Sequence, residues 1–265
     1  MAMPTARPAG ASRPRRSAGW TVAAVVCCSA LAMAAPLAAE PGVILFLGDS
    51  LTAGLGVDPD LAFPALIQRQ IEAAGLQFRA VNAGNSGETS AGGLRRVQWL
   101  LRQPVEILVL ELGANDGLRG TDLASTRANL QAIIDATRAR YPDVEIVLAG
   151  MQVPPNLGPE YTRVFRSLYP ELAEANDAHL IPFLLAGVAG RPELNQPDGI
   201  HPTAEGHAIL AANVWSVLEP VLRARQARRA NDSVSGDLRA RDNLVEPALV
   251  KAHPALGAAV VVGRA

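Results

Sequence analysis

Hydrophobic and polar positions change rhythm several times along this chain, and the changes define alternating strands and helices. Val43-Ile44-Leu45-Phe46-Leu47 is an unbroken apolar run closed by Gly48. Such a run reads as a strand buried on both faces of a parallel sheet. Phe63, Leu66, Ile67, Ile71 and Ala74 then recur at helical spacing, with Gly75 as a helix stop. Arg79 to Asn82 reads as a second strand and Val105 to Leu112 as a third. Leu123 to Ala139 follows as a helix, with Leu130, Ile133, Ile134 and Thr137 on one face and Asp122 as its N-cap. Val144 to Met151 is a fourth strand, Tyr161 to Asn176 a helix and His179 to Phe183 a short fifth strand. A last helix starts near Thr203 and turns Leu210, Val214, Val217, Leu218 and Val221 to the core. Strands alternating with helices of this length predict an α/β fold, a five-stranded parallel sheet with helices on both faces. In such sheets ligands sit beyond the carboxyl ends of the strands.

The ends of the chain depart from this rhythm. Met1 to Ser17 carries Arg7, Arg13, Arg15 and Arg16 and no acid; Trp20 to Met33 is almost wholly apolar; small residues follow to Ala39. That order is the order of a secretory signal peptide, so residues 1–39 are expected to be removed, with cleavage between Ala34 and Glu40; an uncleaved N-terminal anchor is the alternative reading of the same segment. The mature chain is then expected in the periplasm or outside the cell, without a stable membrane span, because the apolar stretch is short and Ala-rich. The two cysteines, Cys27 and Cys28, both fall within it, which leaves residues 40–265 with no thiol nucleophile, disulfide or Cys-based metal site. Residues 40–222 are expected to form the domain. Beyond it, Arg223, Arg225, Arg228 and Arg229 precede a stretch without sustained periodicity, and residues 223–265 are expected to be a poorly ordered tail.

Composition narrows the classes of partner. The 24 basic and 25 acidic residues give a formal net charge of -1, which offers no field for nucleic acid. Aromatic residues make up 4% of the chain, few for stacking bases or sugars.

The polar clusters fall at the predicted strand ends. Gly48-Asp49-Ser50-Leu51 follows the first strand, Gly84 to Thr89 the second, Gly113 to Asp116 the third, and Asp198-Gly199-Ile200-His201-Pro202 comes after the last. A serine at a strand-to-helix turn presents its hydroxyl to the rim and places backbone N–H groups near a developing oxyanion. An ordinary turn with Ser50 as a helix cap fits the first tetrapeptide equally well. A serine hydroxyl needs a base, histidine has the suitable basicity, and a carboxylate fixes the imidazole tautomer. Asp198 and His201, three residues apart, fit on one turn. Gly87 offers an unobstructed N–H and Asn115 a side-chain amide, although Asn115-Asp116 also suits a plain turn. A metal site would recruit Asp198, His201 and His207, and no convincing further ligand joins them. Gly84-Asn85-Ser86-Gly87-Glu88 starts like a G-x-S-x-G elbow but lacks the final glycine, and no complete elbow occurs elsewhere.

Together and in order, "LGDSLTAGLGV", "VNAGNSGETSAGGL", "LELGANDGLRG" and "DGIHP" resemble the blocks of the SGNH (GDSL) hydrolases, over roughly Gly42 to Leu222. The resemblance is closest to the bacterial branch of multifunctional thioesterases, lysophospholipases and arylesterases. It implies a flavodoxin-like three-layer sandwich and a serine hydrolase that cleaves carboxylic esters and thioesters through an acyl-enzyme, with neither metal nor organic cofactor. It implies Ser50 as nucleophile, His201 as general base, Asp198 as the residue that orients it, and Ser50, Gly87 and Asn115 as oxyanion donors. The loop Gly117 to Gly120 would flank the acyl site, with Leu118 in apolar contact with a small-molecule acyl substrate and Met151 to Pro159 opposite. Two departures stand out: Gly113-Ala114 where that branch often shows Gly-Gly, and Glu88 where an aspartate is common. A polysaccharide or cell-wall deacetylase would use the same triad, and a non-catalytic binding protein could occupy the same fold.

Overall fold

The computed structural model describes residues 40–249. The expected signal peptide, with both cysteines, and residues 250–265 lie outside the described residues. Five parallel strands form the sheet: β1 (Gly42–Gly48), β2 (Phe78–Gly84), β3 (Ile107–Glu111), β4 (Glu145–Ala149) and β5 (His179–Ile181), in the order β2-β1-β3-β4-β5. Ile44, Phe46, Leu47, Leu108 and Leu110 have essentially no exposed surface, as central strands covered on both faces require.

Among the described residues, seven α-helices connect and cover the strands: α1 (Ser50–Ala53), α2 (Phe63–Ala73), α3 (Ser90–Leu100), α4 (Ala114–Leu118), α5 (Leu123–Arg140), α6 (Pro159–Ala175) and α7 (Ala204–Leu249). α2 packs against α7, and α3 and α6 both pack against α5. Phe63 on α2 meets Phe46 of β1 edge to face at 5.8 Å, and Phe165 and Tyr169 on α6 meet each other the same way at 5.6 Å. The Asp122 carboxylate accepts the Ala124 and Ser125 N–H groups at 3.4 and 2.9 Å and so caps α5 as its sequence predicts.

Two elements differ from the sequence expectation. α3 was not predicted, and it fills the step between β2 and β3 that a parallel crossover needs. The expected tail is helical to Leu249, since α7 runs on without a break past Arg223. Its arginines reach back to the rest of the domain. Arg225 Nε meets Glu106 Oε2 at 3.0 Å, Arg228 pairs with Glu145, and Arg229 donates to the carbonyls of Gln77 and Glu40 at 3.0 and 2.6 Å. Arg229 also lies over the Phe78 ring, 5.6 Å from its centre. These are side-chain links across elements, which a search for apolar periodicity does not see.

The order 2-1-3-4-5 reverses direction between β1 and β3. A crevice opens at the carboxyl ends of strands where such a reversal occurs. Ser50 follows β1, Gly87 follows β2 and Asn115 follows β3, so the topology brings all three to one rim.

Candidate active site

The turn that carries Ser50 is tightly built. Asp49 caps α1 by accepting the Leu51 N–H at 3.0 Å, which starts the helix at Ser50. Gly48 is required by close approach: a Cβ there would lie 2.0 Å from Thr52 Oγ1 and 2.5 Å from Glu111 Oε2. As the first residue of α1, Ser50 has an N–H without an intrahelical acceptor.

Ser50 Oγ lies 2.9 Å from His201 Nε2, and His201 Nδ1 lies 2.7 Å from Asp198 Oδ2. The other carboxylate oxygen of Asp198 accepts the N–H groups of Ile200 and His201, both at 3.0 Å. Three bonds thus hold the carboxylate under the imidazole. The His201 contact, followed by the two backbone donors, lowers the Asp198 pKa to about 2. The loop itself is pinned by Gln196, which donates its backbone N–H to the His201 carbonyl at 2.7 Å and its side-chain amide to the Pro202 and Leu55 carbonyls at 3.0 and 2.6 Å.

Gly87 adopts φ +77°, a left-handed conformation that favours glycine. Its N–H has no acceptor among the described residues, and its carbonyl accepts from Arg119 at 3.1 Å. The Asn115 amide gives one hydrogen to Asp49 Oδ2 at 3.0 Å. A primary amide has two, so the second is free for another acceptor. Asp49, Ser50, Gly87, Asn115 and His201 all line one cleft of about 750 Å³. Its apolar walls include Leu55, Leu118, Met151, Val153, Phe183 and Ile200. Leu118 lines this cleft with 44% of its surface exposed.

Sequence reasoning missed the pair behind the Gly87 turn. Arg96 on α3 donates through Nε to both carboxylate oxygens of Glu88, at 2.8 and 2.7 Å, and through Nη2 to the Ala83 carbonyl at 2.6 Å. The signal was the departure at Glu88 itself, a longer acid that reaches the helix.

The metal alternative finds little support in the geometry. His207 turns into the core, accepts the Phe63 N–H at Nδ1 at 3.3 Å and stacks on the Phe63 ring. Among the described residues no three His, Cys, Asp or Glu side chains converge as ligands.

A serine, an imidazole and a carboxylate in hydrogen-bonded series at the switch point of a doubly wound sheet define a serine hydrolase site. Residues 46–209 match the profile described as the GDSL-like Lipase/Acylhydrolase family, and the chain belongs to that family. It is 41% identical to the esterase TesA of Pseudomonas aeruginosa over 196 residues, covering 74% of this chain and 96% of that one. It is 37% identical over 187 residues to thioesterase 1/protease 1/lysophospholipase L1 of Escherichia coli K12, covering 70% and 87%. Among solved structures, the psychrotrophic esterase EstA from Pseudoalteromonas, in a form inhibited by monoethylphosphonate, superposes with a TM-score of 0.64 at 33% identity, over 69% of this chain and 99% of EstA.

Proposed function

We propose that this protein hydrolyses carboxylic esters and thioesters of small to medium acyl groups through an acyl-enzyme on Ser50. The observation that carries this reading is the series Ser50 Oγ, His201, Asp198 at 2.9 and 2.7 Å, opening into an apolar cleft. Ser50 Oγ attacks the acyl carbon while His201 Nε2 takes its proton. Asp198 holds the Nδ1–H tautomer and stabilises the imidazolium. The oxyanion receives the N–H groups of Ser50 and Gly87 and the free amide hydrogen of Asn115. His201 then protonates the leaving alcohol or thiol. Water attacks the acyl-enzyme as His201 removes its proton, the acid leaves and Ser50 is restored.

The cleft lining supports an acyl group over a sugar. Leu55, Leu118, Met151, Val153, Phe183 and Ile200 offer apolar surface, and among the described residues Phe183 is the one Phe, Tyr or Trp that lines the cleft. The names of the relatives, esterase and thioesterase, point the same way. The basic and then apolar order of residues 1–39 supports export, so we place the reaction in the periplasm or outside the cell.

The test is turnover of para-nitrophenyl esters of graded chain length by the wild type and Ser50→Ala, with fluorophosphonate labelling of both. Loss of turnover and of label in Ser50→Ala is expected, with the fall in kcat reaching about 10^6-fold. Equal labelling of the two proteins would overturn the reading. Fractionation of the expressing cell and N-terminal sequencing of the mature chain test the export step.

A further inference from the structure

Two carboxyl groups lie buried inside the nucleophile turn, and the steps above assign neither of them a role. Glu111 ends β3 and stands in register opposite Gly48 of β1, and Asp49 follows Gly48 directly. Each is 1% exposed. Their hydrogen bonding is unequal. Asp49 has a donor at each oxygen: Leu51 N–H at Oδ1 and the Asn115 amide at Oδ2, both at 3.0 Å. Glu111 takes both of its donors on Oε2, the Asp49 N–H at 3.1 Å and the Thr52 hydroxyl at 2.7 Å. Glu111 Oε1 is enclosed and has no partner.

A carboxylate with one bare oxygen in the core carries a large desolvation cost, and a second negative charge beside it raises that cost further. Two carboxyls placed this way settle on one charge between them. We propose that Glu111 is a positioning residue held as a neutral acid, so that the single negative charge of the buried pair rests on Asp49 and fixes the direction of the Asn115 amide.

The surroundings agree. Burial, then the Asp49 charge, pushes the Glu111 carboxyl well above the ordinary range. Burial raises Asp49 only to about 6, because the Leu51 N–H, the Asn115 amide and a hydrogen bond with the Glu111 carboxyl favour its ionised form. Tyr169 on α6 faces the pair as a neutral phenol that donates to the Leu112 carbonyl at 3.0 Å. Asp116 on α4 is occupied by Ser90. Arg96 reaches the Gly48 carbonyl at 3.4 Å, but its charge is met by Glu88. His201 is the remaining neighbour that acts on the Asp49 charge.

The arrangement has a chemical consequence. An ionised Asp49 only accepts hydrogen bonds, so it takes an N–H of Asn115 and never its carbonyl. The second N–H is thereby directed at the cleft. A protonated Asp49 offers an O–H instead and lets the amide turn over. Glu111, by keeping the proton, protects the orientation of an oxyanion donor while holding the backbone N–H next to the nucleophile.

Infrared spectroscopy of the full chain with 13C-labelled glutamate carboxyls tests this without turnover. At about pH 8, well above the ordinary carboxyl range, a protonated-carboxyl band that moves on deuteration is expected. It is expected to be absent in Glu111→Gln, and to titrate away at lower pH in Asp49→Asn, where the competing charge is gone. In kinetics, Glu111→Ala is expected to lose about tenfold or more in kcat with little change in KM, and Glu111→Gln, the uncharged isostere, to recover most of that loss. A wild type with no such band at that pH overturns the proposal, and that measurement needs no variant to fold. An acid limb of kcat/KM that moves to lower pH in Glu111→Gln also overturns it, since relief from a charged neighbour would do that to Asp49. Fluorophosphonate labelling of Ser50 separately decides whether the site is a serine hydrolase at all.

Discussion

Arg96 Nε sits between the two carboxylate oxygens of Glu88, 2.8 Å from one and 2.7 Å from the other, directly behind Gly87. The Glu88 side chain is 5% exposed and the Arg96 side chain 25%. The same guanidinium bonds the Ala83 and Gly48 carbonyls at the ends of β2 and β1. One cation thus joins the turn that presents the Gly87 N–H to the strand that presents Ser50. Removing Arg96 would leave a buried carboxylate unpaired, which is costlier than losing the pair as a whole. Arg96→Ala is expected to destabilise the fold by about 3 kcal/mol and to lower kcat more than it raises KM. Urea unfolding and ester kinetics on the same preparation check both. A loss of only a few tenths of a kcal/mol, as for a surface pair, would contradict the role.

Asp198 differs from the buried carboxyls because it is nearly half exposed and yet fully hydrogen-bonded. Asp198→Asn keeps the size but presents the wrong group to His201 Nδ1, so the imidazole takes the tautomer that cannot accept from Ser50. A fall in kcat of about 10^4-fold with KM nearly unchanged is expected. Because the Asp198 pKa lies at about 2, this carboxylate stays charged across the range in which the enzyme can be assayed. The acid limb of the wild-type profile is therefore expected not to be that of Asp198, and Asp198→Glu is expected to leave its midpoint in place.

The main features of the fold were legible because the buried strands are continuous apolar runs and the polar clusters sit at their ends. Ser50, His201 and Asp198 were legible because the chemistry needs those three residue types and the topology offers one rim. α3 was not legible. Its sequence SAGGLRRVQWL has two adjacent glycines and two adjacent arginines where a helix search looks for an apolar stripe. The glycines are there for packing: a Cβ at Gly93 would lie 2.3 Å from Leu112, and one at Gly92 2.8 Å from Glu88. The continuation of α7 was hidden for a related reason. What ties it down is a set of arginines reaching Glu106, Glu145 and Gln77, and pairs distant in sequence leave no local period. The Glu111–Asp49 pair could not be read either, since a glutamate at the end of a strand is ordinarily taken to be solvated.

The arginines of α7 lead to a prediction that separates support from catalysis. Arg225 and Glu106 are each about one-fifth exposed and 3.0 Å apart, and Arg229 adds two carbonyl bonds and the Phe78 face. None of these groups lines the active-site cleft. Arg225→Ala with Arg229→Ala is expected to lower stability by about 2 kcal/mol, a charge-assisted bond contributing about 1.5–3 kcal/mol before the loss is softened by partial exposure. For a domain of this size that corresponds to a fall in Tm of about 4–8 °C. kcat and KM at 25 °C are expected to be unchanged. A calorimetric scan beside an esterase assay reads both, and a loss of kcat without a loss of Tm would contradict this division.

His207 is expected to set part of the acid sensitivity of the fold. It has no exposed surface, its Nδ1 accepts the Phe63 N–H, and its Nε2 is buried without a partner. Burial, with a smaller contribution from His201, lowers its pKa from 6.5 to about 4. The native state therefore refuses a proton that the unfolded chain accepts between these values. Stability contributed by neutral His207 is fully present above about pH 6.5 and declines as the pH falls towards 4, by at most about 3 kcal/mol. Asp49 acts in the opposite sense. Its pKa is raised from 3.8 to about 6, so the native state holds a proton that the unfolded chain releases, and its contribution favours the fold as the pH falls through that window. The two partly cancel in the wild type, so the raw pH dependence is uninformative and the difference between two proteins is needed. His207→Gln retains an acceptor for the Phe63 N–H and does not titrate. Its stability relative to wild type is expected to improve steadily from pH 6.5 to pH 4, and to be constant above pH 7, in urea unfolding at matched ionic strength. A difference that is flat across that window would show that His207 is protonated in the native state or that water reaches its Nε2.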